Sequence, residues 1–142
     1  VMSFPISIGK SFYLMPDPLM EQHQSIYREQ HQIIREMADK SDCVIVGRCG
    51  DYILQDLHPL RIFVYADMES KIARCRERGK EDPPLSVKEL KQQIKKVEKG
   101  RAKYYEFYTG QSWGDKLNYD VCINTSGKSI KELAEVLVKL VK

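Results

Sequence analysis

The sequence predicts an α/β fold in three layers, with a parallel sheet flanked by helices on both faces. Short, continuously apolar runs at 43–47, 61–66 and 119–123 alternate with longer segments of helical character. Such runs fit strands that are covered on both faces, as parallel strands are. The alternation of strands and helices implies parallel pairing through right-handed crossovers. With 142 residues, 42% of them hydrophobic and 30% charged, the chain has the composition of one globular domain.

The first helix is predicted from about Asp17 to Asp39. Residues 1–16 show no clear element, because Pro5 interrupts an alternating apolar pattern. Asp17 is suited to the N-cap and Pro18 to the first helical position. Helical spacing predicts a buried stripe made of Leu19, Ile26, Ile33, Ile34 and Met37.

The remaining helices are predicted from their capping residues. A short helix is expected at 52–55, and Asp67 should cap a helix that runs through Arg78 to Gly79. A polar, Pro-rich break follows at 80–85. Two capping boxes, at 86–89 and 129–132, open a long helix to about Tyr108 and a closing helix. The closing helix is predicted to bury Ile130, Leu133, Ala134, Leu137, Val138 and Val141.

Composition narrows the class of partner. The net charge of +3 is no nucleic-acid signature by itself, and no apolar run is long enough for a membrane span. No signal peptide is visible, so we expect a cytoplasmic protein. The four cysteines include no C-x-x-C pair, which favours reduced thiols over disulfides, and a zinc site is the alternative.

The first candidate site is the segment from Val46 to Asp51. It follows a predicted strand, and ligands bind at the carboxyl ends of strands in open parallel sheets. Gly47 and Gly50 permit close backbone approach, and the planar guanidinium of Arg48 suits a phosphate. Asp51 is a candidate to orient Arg48 or to accept hydrogen bonds from a ligand. The alternative is a plain strand-to-helix turn in which Asp51 is the N-cap.

The second candidate is a run of arginines at the end of the helix after the second strand. Arg74 and Arg78 share a helix face, and Arg76 lies between them. Because the Pro-rich break follows, the segment could act as a mobile lid whose arginines cover a transferring phosphate. The alternative is favourable positive charge near a helix C-terminus.

The third candidate lies on the long helix, where Glu98 and Arg101 are spaced to form a pair. Lysines precede a run of aromatic residues that includes Tyr105, and such a combination could hold a phosphate and stack a base. The alternative is a solvated charged face with the aromatic rings in the core. Trp113, in the following loop, has the same two interpretations.

Several other patterns in the sequence give weaker evidence of a function. Ile8-Gly9-Lys10-Ser11 ends like a phosphate-binding loop, but Phe4 stands where that pattern needs its first glycine. The three histidines are scattered, and neither a serine–histidine–acid arrangement nor an H-E-x-x-H motif is present. No metal site is therefore predicted.

Taken together, several segments resemble the cytidylate kinase-like family: VIVGRCGDYIL at 44–54, RIFVYA at 61–66, KIARCRERG at 71–79, VEKGRAKYYEFYTGQSWGD at 97–115 and YDVCINTS at 119–126. The resemblance covers roughly residues 12–142. It implies the fold of the P-loop nucleoside monophosphate kinases. The implied reaction transfers the γ-phosphoryl group of ATP, with Mg²⁺, to a nucleoside monophosphate such as CMP.

The resemblance also implies roles for single residues. Arg48 would bind the monophosphate, although cytidylate kinases have Gly-Arg-Asp where this chain has Gly-Arg-Cys. Glu98 and Arg101 match an acid–arginine pair facing the acceptor phosphate, and Tyr105 is a further candidate for substrate binding. The lid arginines would be Arg74, Arg76 and Arg78. The residues near the donor's base would be Asn124, Thr125 and Ser126.

The family begins with a strand and a glycine-rich phosphate loop that these 142 residues lack. We therefore expect a single kinase-like domain over 1–142 that is incomplete at its N-terminus, with the lid at about 74–101. The expected partners are nucleotides, with no membrane or nucleic acid. The alternative function is a degenerate, non-catalytic module that binds a nucleotide. A nucleic-acid binder using the lysine-rich helix at 88–103 is disfavoured by the small net charge.

Overall fold

The computed structural model describes residues 18–79 and 85–141. It is a mixed α/β structure with five α-helices and two strands in these ranges. The helices are α1 (Pro18–Lys40), α2 (Gly50–Ile53), α3 (Met68–Arg78), α4 (Val87–Thr109) and α5 (Ile130–Val138), the strands are β1 (Ile62–Tyr65) and β2 (Val121–Asn124), and 3₁₀ turns occupy Gln55–Leu57 and Lys116–Asn118.

The helix starts follow the predicted capping chemistry. The Asp67 carboxylate accepts a hydrogen bond from the Ser70 N–H at 2.7 Å and begins α3. At the start of α4, Ser86 and Glu89 form a complete capping box. The Ser129 hydroxyl accepts from the Glu132 N–H at the start of α5. Each of these bonds satisfies an N–H group that has no partner within the helix.

The two strands pair in parallel, with Ile62 opposite Val121 and Tyr65 opposite Asn124. The predicted parallel pairing of the second and third apolar runs is therefore confirmed. Helix α3 follows β1 directly. The carboxyl ends of both strands consequently meet at one edge of the sheet, where Thr125 N–H donates to the Tyr65 carbonyl at 2.8 Å.

The predicted strand at 43–47 is wrong, since residues 42–46 belong to no helix or strand. Val44 and Val46 are 92% and 85% exposed, whereas Ile45 packs against the core. A strand needs a neighbour that supplies N–H and C=O groups, and no such neighbour lies beside this run in the described residues. The predicted three-stranded sheet is therefore reduced to a two-stranded one here.

The core is small and lies between α1, α2 and α4. Its buried members are Ile34, Cys49, Ile53, Leu54 and Tyr105. Partly buried aromatic side chains surround it, including Trp113, which contacts Phe63 edge-on with ring centroids 5.3 Å apart. This core places the turn that precedes α2 directly against α4.

Two predicted apolar faces are more exposed than the sequence pattern implied. Among residues 22–40 of α1 only Ile34 is buried, while Ile26, Ile33 and Met37 are 44–54% exposed. On α5, Leu133 and Leu137 are half-buried, but Ala134 is exposed and so are Ile130, Val138 and Val141. Helical periodicity identifies the apolar face of a helix, but whether anything covers that face depends on its neighbours.

Some predictions lie outside the described residues. These are the Gly9-Lys10-Ser11 pattern, the N-cap Asp17, the side chain of Leu19 and most of the Pro-rich break. Within the described helices, none combines the length and apolar character that crossing a bilayer requires.

Candidate functional site

The turn at residues 47–51 has an unusual backbone. Gly47, Arg48 and Cys49 all have positive φ angles, of 71°, 58° and 56°. Glycine adopts this left-handed conformation freely, but for other residues it costs about 1–2 kcal/mol each. Two consecutive strained residues persist only where the surroundings hold them, and such strain is concentrated at functional sites.

Arg48 is half-buried in this turn, and its guanidinium makes no hydrogen bond or ion pair within the described part of the chain. Asp51, the predicted partner of Arg48, is engaged elsewhere: its Oδ2 accepts a hydrogen bond from the Tyr105 hydroxyl at 2.6 Å. The guanidinium therefore keeps its donors available for an anion, in the planar arrangement that suits a phosphate.

Cys49 follows Arg48 in the turn, and its side chain belongs to the core. It is 3% exposed. Burial, which is the larger cause, and the nearby negative charge of Asp51 raise the pKa of the thiol to about 12. The thiol therefore stays protonated at neutral pH and behaves as a small apolar group. Cys49 therefore contributes to the turn by packing its side chain in the core.

Tyr105 is the most connected side chain near the turn. It is 5% exposed, and its hydroxyl contacts Asp51, the Gln111 amide at 3.0 Å and the Tyr119 hydroxyl. Burial and the Asp51 carboxylate raise the pKa of this hydroxyl. The predicted substrate-binding residue therefore lies behind the turn, within the core.

The other aromatic residues of α4 pack against α1. Tyr108 stacks on Tyr27 with ring centroids 4.0 Å apart and planes 9° from parallel, and Tyr104 lies 4.7 Å from Tyr108. Burial raises the pKa of Tyr104 to about 12. Phe107 remains 45% exposed. These contacts favour the core interpretation of the aromatic run over the base-stacking one, because the ring faces of Tyr27 and Tyr108 are used on each other.

A second cluster lies at the carboxyl ends of the strands; we call residues Asp67, Arg74 and 124–126 the strand-end corner. Arg74 donates to the Thr125 hydroxyl at 2.8 Å and to the Thr125 carbonyl at 2.5 Å. Ser126 Oγ accepts from the Asp67 N–H at 2.7 Å, and the Asn124 side chain accepts from the Ser126 N–H at 3.0 Å. One predicted lid arginine is thus joined to the predicted donor-base residues.

The helices α3 and α4 are joined by an ion pair between Lys71 and Glu98, both partly buried. The predicted pair between Glu98 and Arg101 does not form, because the carboxylate is turned toward α3. Arg101 is exposed and lies one helical turn before Tyr105, on the same side of α4. Arg76 and Arg78 are exposed, and neither has a hydrogen-bond partner among the described residues.

Sequence reasoning grouped Lys71 with the arginines of α3 but missed its ion pair with Glu98, and it missed Gln111 altogether. Lys71 stands four residues after the N-cap Asp67 in sequence, and only the packing of α3 on α4 brings it to Glu98. Gln111 follows the C-cap Gly110, whose φ of 67° turns the chain back toward Tyr105. A glycine at the end of a long helix was the signal available for that turn.

A nucleotide donor and Mg²⁺ fit the described residues only in part. Among residues 18–79 and 85–141, no group of three His, Cys, Asp or Glu side chains is placed to hold a metal ion. At the strand-end corner, the Asp67 carboxylate caps α3, while Thr125 and Ser126 bond within the corner. The described residues therefore supply no magnesium ligand set, and we derive no step through the metal.

Comparison with known proteins gives two positive findings. The sequence profile of the cytidylate kinase-like family matches residues 6–127. A crystal structure of an uncharacterized protein from Eubacterium ventriosum ATCC 27560 is 31% identical to this chain, with a TM-score of 0.74. The match covers 89% of this chain and 68% of that one. Among curated proteins, none matches. Since the profile match spans most of the sequence, including the Arg48 turn and both strands, the chain belongs to the cytidylate kinase-like family.

Proposed function

We propose that the protein is a phosphotransferase of the nucleoside monophosphate kinase type and that Arg48 binds the phosphate of the acceptor, a nucleoside monophosphate such as CMP. Membership of the family supports a kinase-like, nucleotide-related function. The observation that carries the assignment of the site is the strained turn that leaves the Arg48 guanidinium without a protein partner in the described residues.

The proposed role of these residues is to bind the substrates and to stabilise the charge that moves between them. Phosphoryl transfer depends mainly on positioning the two substrates and neutralising the charge that moves between them. A guanidinium bound to the acceptor phosphate orients that group and offsets its negative charge. In this proposal Arg101 approaches the same phosphate from α4. Glu98 contributes indirectly, because its bond with Lys71 fixes α3 against α4.

The donor side of the proposal rests on the strand-end corner and the exposed arginines of α3. ATP, with Mg²⁺, would supply the transferred phosphoryl group. Arg76 and Arg78 have their guanidinium groups available for it. Arg74 has two bonds to Thr125 and so ties α3 to the corner expected to lie near the donor's base. The full three-layer sheet of the P-loop kinases also belongs to this proposal.

Selectivity for cytosine receives no support from Cys49. Its thiol is buried and uncharged at neutral pH, so it offers a base edge neither a charge nor an accessible hydrogen-bonding group. We therefore propose that the chain recognises the phosphate first and leaves the choice of base to other groups.

The first experiment measures binding to the purified chain by titration calorimetry. Ligands are CMP, AMP, UMP, inorganic phosphate and the nucleoside cytidine. We expect the monophosphates to bind and cytidine to bind at least ten-fold more weakly. Arg48→Ala should weaken monophosphate binding by at least ten-fold, since charge-assisted bonds to phosphate contribute about 1.5–3 kcal/mol. The matched control is Arg28→Ala, which removes an exposed arginine of α1.

The second experiment is a coupled assay of phosphoryl transfer from ATP with Mg²⁺ to the same monophosphates. Turnover that disappears in Arg48→Ala would support the kinase proposal. Binding without turnover would instead favour the non-catalytic, nucleotide-binding alternative. Equal monophosphate affinity in wild type and Arg48→Ala would show that the site is wrongly assigned.

A further inference from the structure

The conformation at Arg48 requires an explanation in terms of what holds it. Arg48 and Cys49 both adopt the left-handed region, which costs about 1–2 kcal/mol per residue. The turn is closed by a hydrogen bond from Gly50 N–H to the Gly47 carbonyl at 3.0 Å. The Cys49 carbonyl accepts from the Ile53 N–H at 2.8 Å. These bonds define the backbone of the turn, but they do not determine where its charged side chains point.

Asp51 is the acidic side chain closest in sequence to Arg48, only three residues away. The two groups carry opposite charges, so over so short a stretch of chain the carboxylate and the guanidinium attract each other. Such a pair would occupy the guanidinium and compete with a phosphate for it. No ion pair between them is present, because the Asp51 carboxylate is held by the Tyr105 hydroxyl at 2.6 Å.

Tyr105 is itself held rigidly at the end of α4. Its ring is buried in the core, and its carbonyl accepts from the Thr109 hydroxyl at 2.6 Å. The same Thr109 oxygen accepts from the Gln111 N–H at 3.1 Å, which brings the Gln111 side chain back to the Tyr105 hydroxyl. A single turn of chain at the end of α4 therefore fixes Gln111 against that hydroxyl.

The hydroxyl has one proton to donate, and three groups lie within reach of it: the Asp51 carboxylate, the Gln111 amide oxygen and the Tyr119 hydroxyl. The contact with Asp51 is shorter, at 2.6 Å against 3.0 Å for Gln111, and a charged acceptor makes the stronger bond. The proton is therefore shared mainly with Asp51, while the Gln111 amide oxygen packs against the same hydroxyl and helps to fix its position.

From this arrangement we propose that Tyr105 and Gln111 are positioning residues that hold Asp51 away from Arg48 and so keep the guanidinium available for the acceptor phosphate. The inference rests on the proposed role of Arg48 as the phosphate-binding residue. Neither Tyr105 nor Gln111 touches the substrate. Each acts through Asp51, by taking up a carboxylate that would otherwise pair with Arg48.

The test is a double-mutant cycle on monophosphate affinity. Tyr105→Phe keeps the ring and removes the hydroxyl, so Asp51 is released and CMP binding should weaken about five-fold, the scale of a partly exposed ion pair. In an Asp51→Asn background no carboxylate is left to compete. There the same Tyr105→Phe change should alter the dissociation constant by less than about two-fold. Gln111→Leu should weaken binding in the same direction and by a smaller factor.

Two controls separate positioning from a loss of folding. Tyr108→Phe removes a neighbouring hydroxyl of α4 that bonds the His23 carbonyl, and it should leave CMP affinity unchanged. Thermal unfolding measures the stability of each variant. The rescue of CMP affinity by Asp51→Asn should not follow the changes in that stability. The Nε chemical shift of Arg48 gives a direct readout, and it should move in Tyr105→Phe without ligand only when Asp51 is present.

The outcomes distinguish this inference from the function on which it rests. If Arg48→Ala abolishes binding but Tyr105→Phe binds as the wild type does, the positioning role is wrong and the phosphate site stands. If Tyr105→Phe weakens binding equally with Asp51 and with Asn at position 51, Tyr105 is merely structural and the inference fails. If Arg48→Ala binds normally, the proposed function itself has failed.

Discussion

The Arg48 turn and the strand-end corner both contain a predicted site arginine, but they treat it in opposite ways. In the turn, Arg48 has no hydrogen-bond partner among the described residues, and its backbone is strained. In the corner, Arg74 is fixed by two hydrogen bonds to Thr125, which is 3% exposed. The difference shows that the surroundings of an arginine, and not its presence alone, decide whether its guanidinium is used to hold the fold.

The two regions also differ in where their stability comes from. The turn is held by the Tyr105 side chain from the distant helix α4 and by its own Cys49 side chain, which is buried in the core. The corner is held by short-range turn bonds around 124–126 and by one arginine from α3. Substitutions in the corner should therefore act on stability, whereas substitutions in the turn should act on binding.

The largest expected change in stability is at the corner. Arg74→Ala removes two hydrogen bonds to Thr125 and leaves its carbonyl with the longer, 3.3 Å bond from the Lys128 N–H, which should lower the free energy of unfolding by about 1–3 kcal/mol. Arg76→Ala, on the same helix but exposed and without a partner in the described residues, should change it by less than about 0.5 kcal/mol. Urea denaturation followed by circular dichroism measures both values. Equal effects would remove the distinction between a bonded and a free arginine.

A matched pair of glycines compares the two regions directly. Gly47 in the turn has a φ of 71° and Gly127 beside the corner has a φ of 62°, and a Cβ atom at either position would meet nothing within 4 Å. Replacing either by alanine should therefore cost about 1–2 kcal/mol through the backbone alone. Only Gly47→Ala should also weaken monophosphate binding. A loss of binding in Gly127→Ala as well would place the ligand near both regions.

Because the backbone at Arg48 is strained, we expect that substitutions there change stability and binding in different ways. Arg48→Gly and Arg48→Ala both remove the guanidinium, but glycine relieves the left-handed strain that alanine keeps. The gain is partly offset by the greater flexibility of glycine in the unfolded chain, so Arg48→Gly should be up to about 1 kcal/mol more stable than Arg48→Ala. Thermal unfolding tests the expected difference in stability, and CMP titration tests the expected loss of binding in both variants. The idea of stored strain fails if the alanine variant is the more stable one.

The smallest effect concerns an exposed ion pair outside both regions. Hydrogen bonds from Arg61 lower the pKa of Asp120 to about 2, from an unfolded value near ~3.9. A lowered pKa stabilises the fold above pH ~4, and that contribution is lost as the pH falls toward 2. Asp120→Asn should therefore be less stable than wild type at neutral pH, by under ~1 kcal/mol because the pair is exposed.

The same substitution gives its own internal check. The difference in unfolding free energy between Asp120→Asn and wild type should shrink steadily from about pH 4 down to pH 2. Asp42→Asn, at an exposed position whose side chain makes no hydrogen bond to any residue that the structure describes, should show no such trend. A difference that stays constant over this range would mean that the Arg61 bonds do not stabilise the charged form.

Much of the local structure follows from the sequence. Capping residues placed the starts of α3, α4 and α5, and Pro18 begins α1. The apolar runs at 61–66 and 119–123 contain the two paired strands. These features depend on residues within a few positions of each other, so composition and spacing are enough to predict them. The family was likewise evident from short motifs.

The remaining features were decided by the tertiary structure, because they depend on which helices and strands pack together. The run at 43–47 has the composition of a strand, but it has no pairing neighbour in the described residues, and Val44 and Val46 face solvent. Glu98 pairs with Lys71 across two helices rather than with Arg101 along one. Tyr105 lies far from Asp51 in sequence, yet a hydrogen bond joins their side chains. Sequence alone selected Arg48, but only the packing of distant elements leaves its guanidinium without a hydrogen bond or ion pair among the described residues.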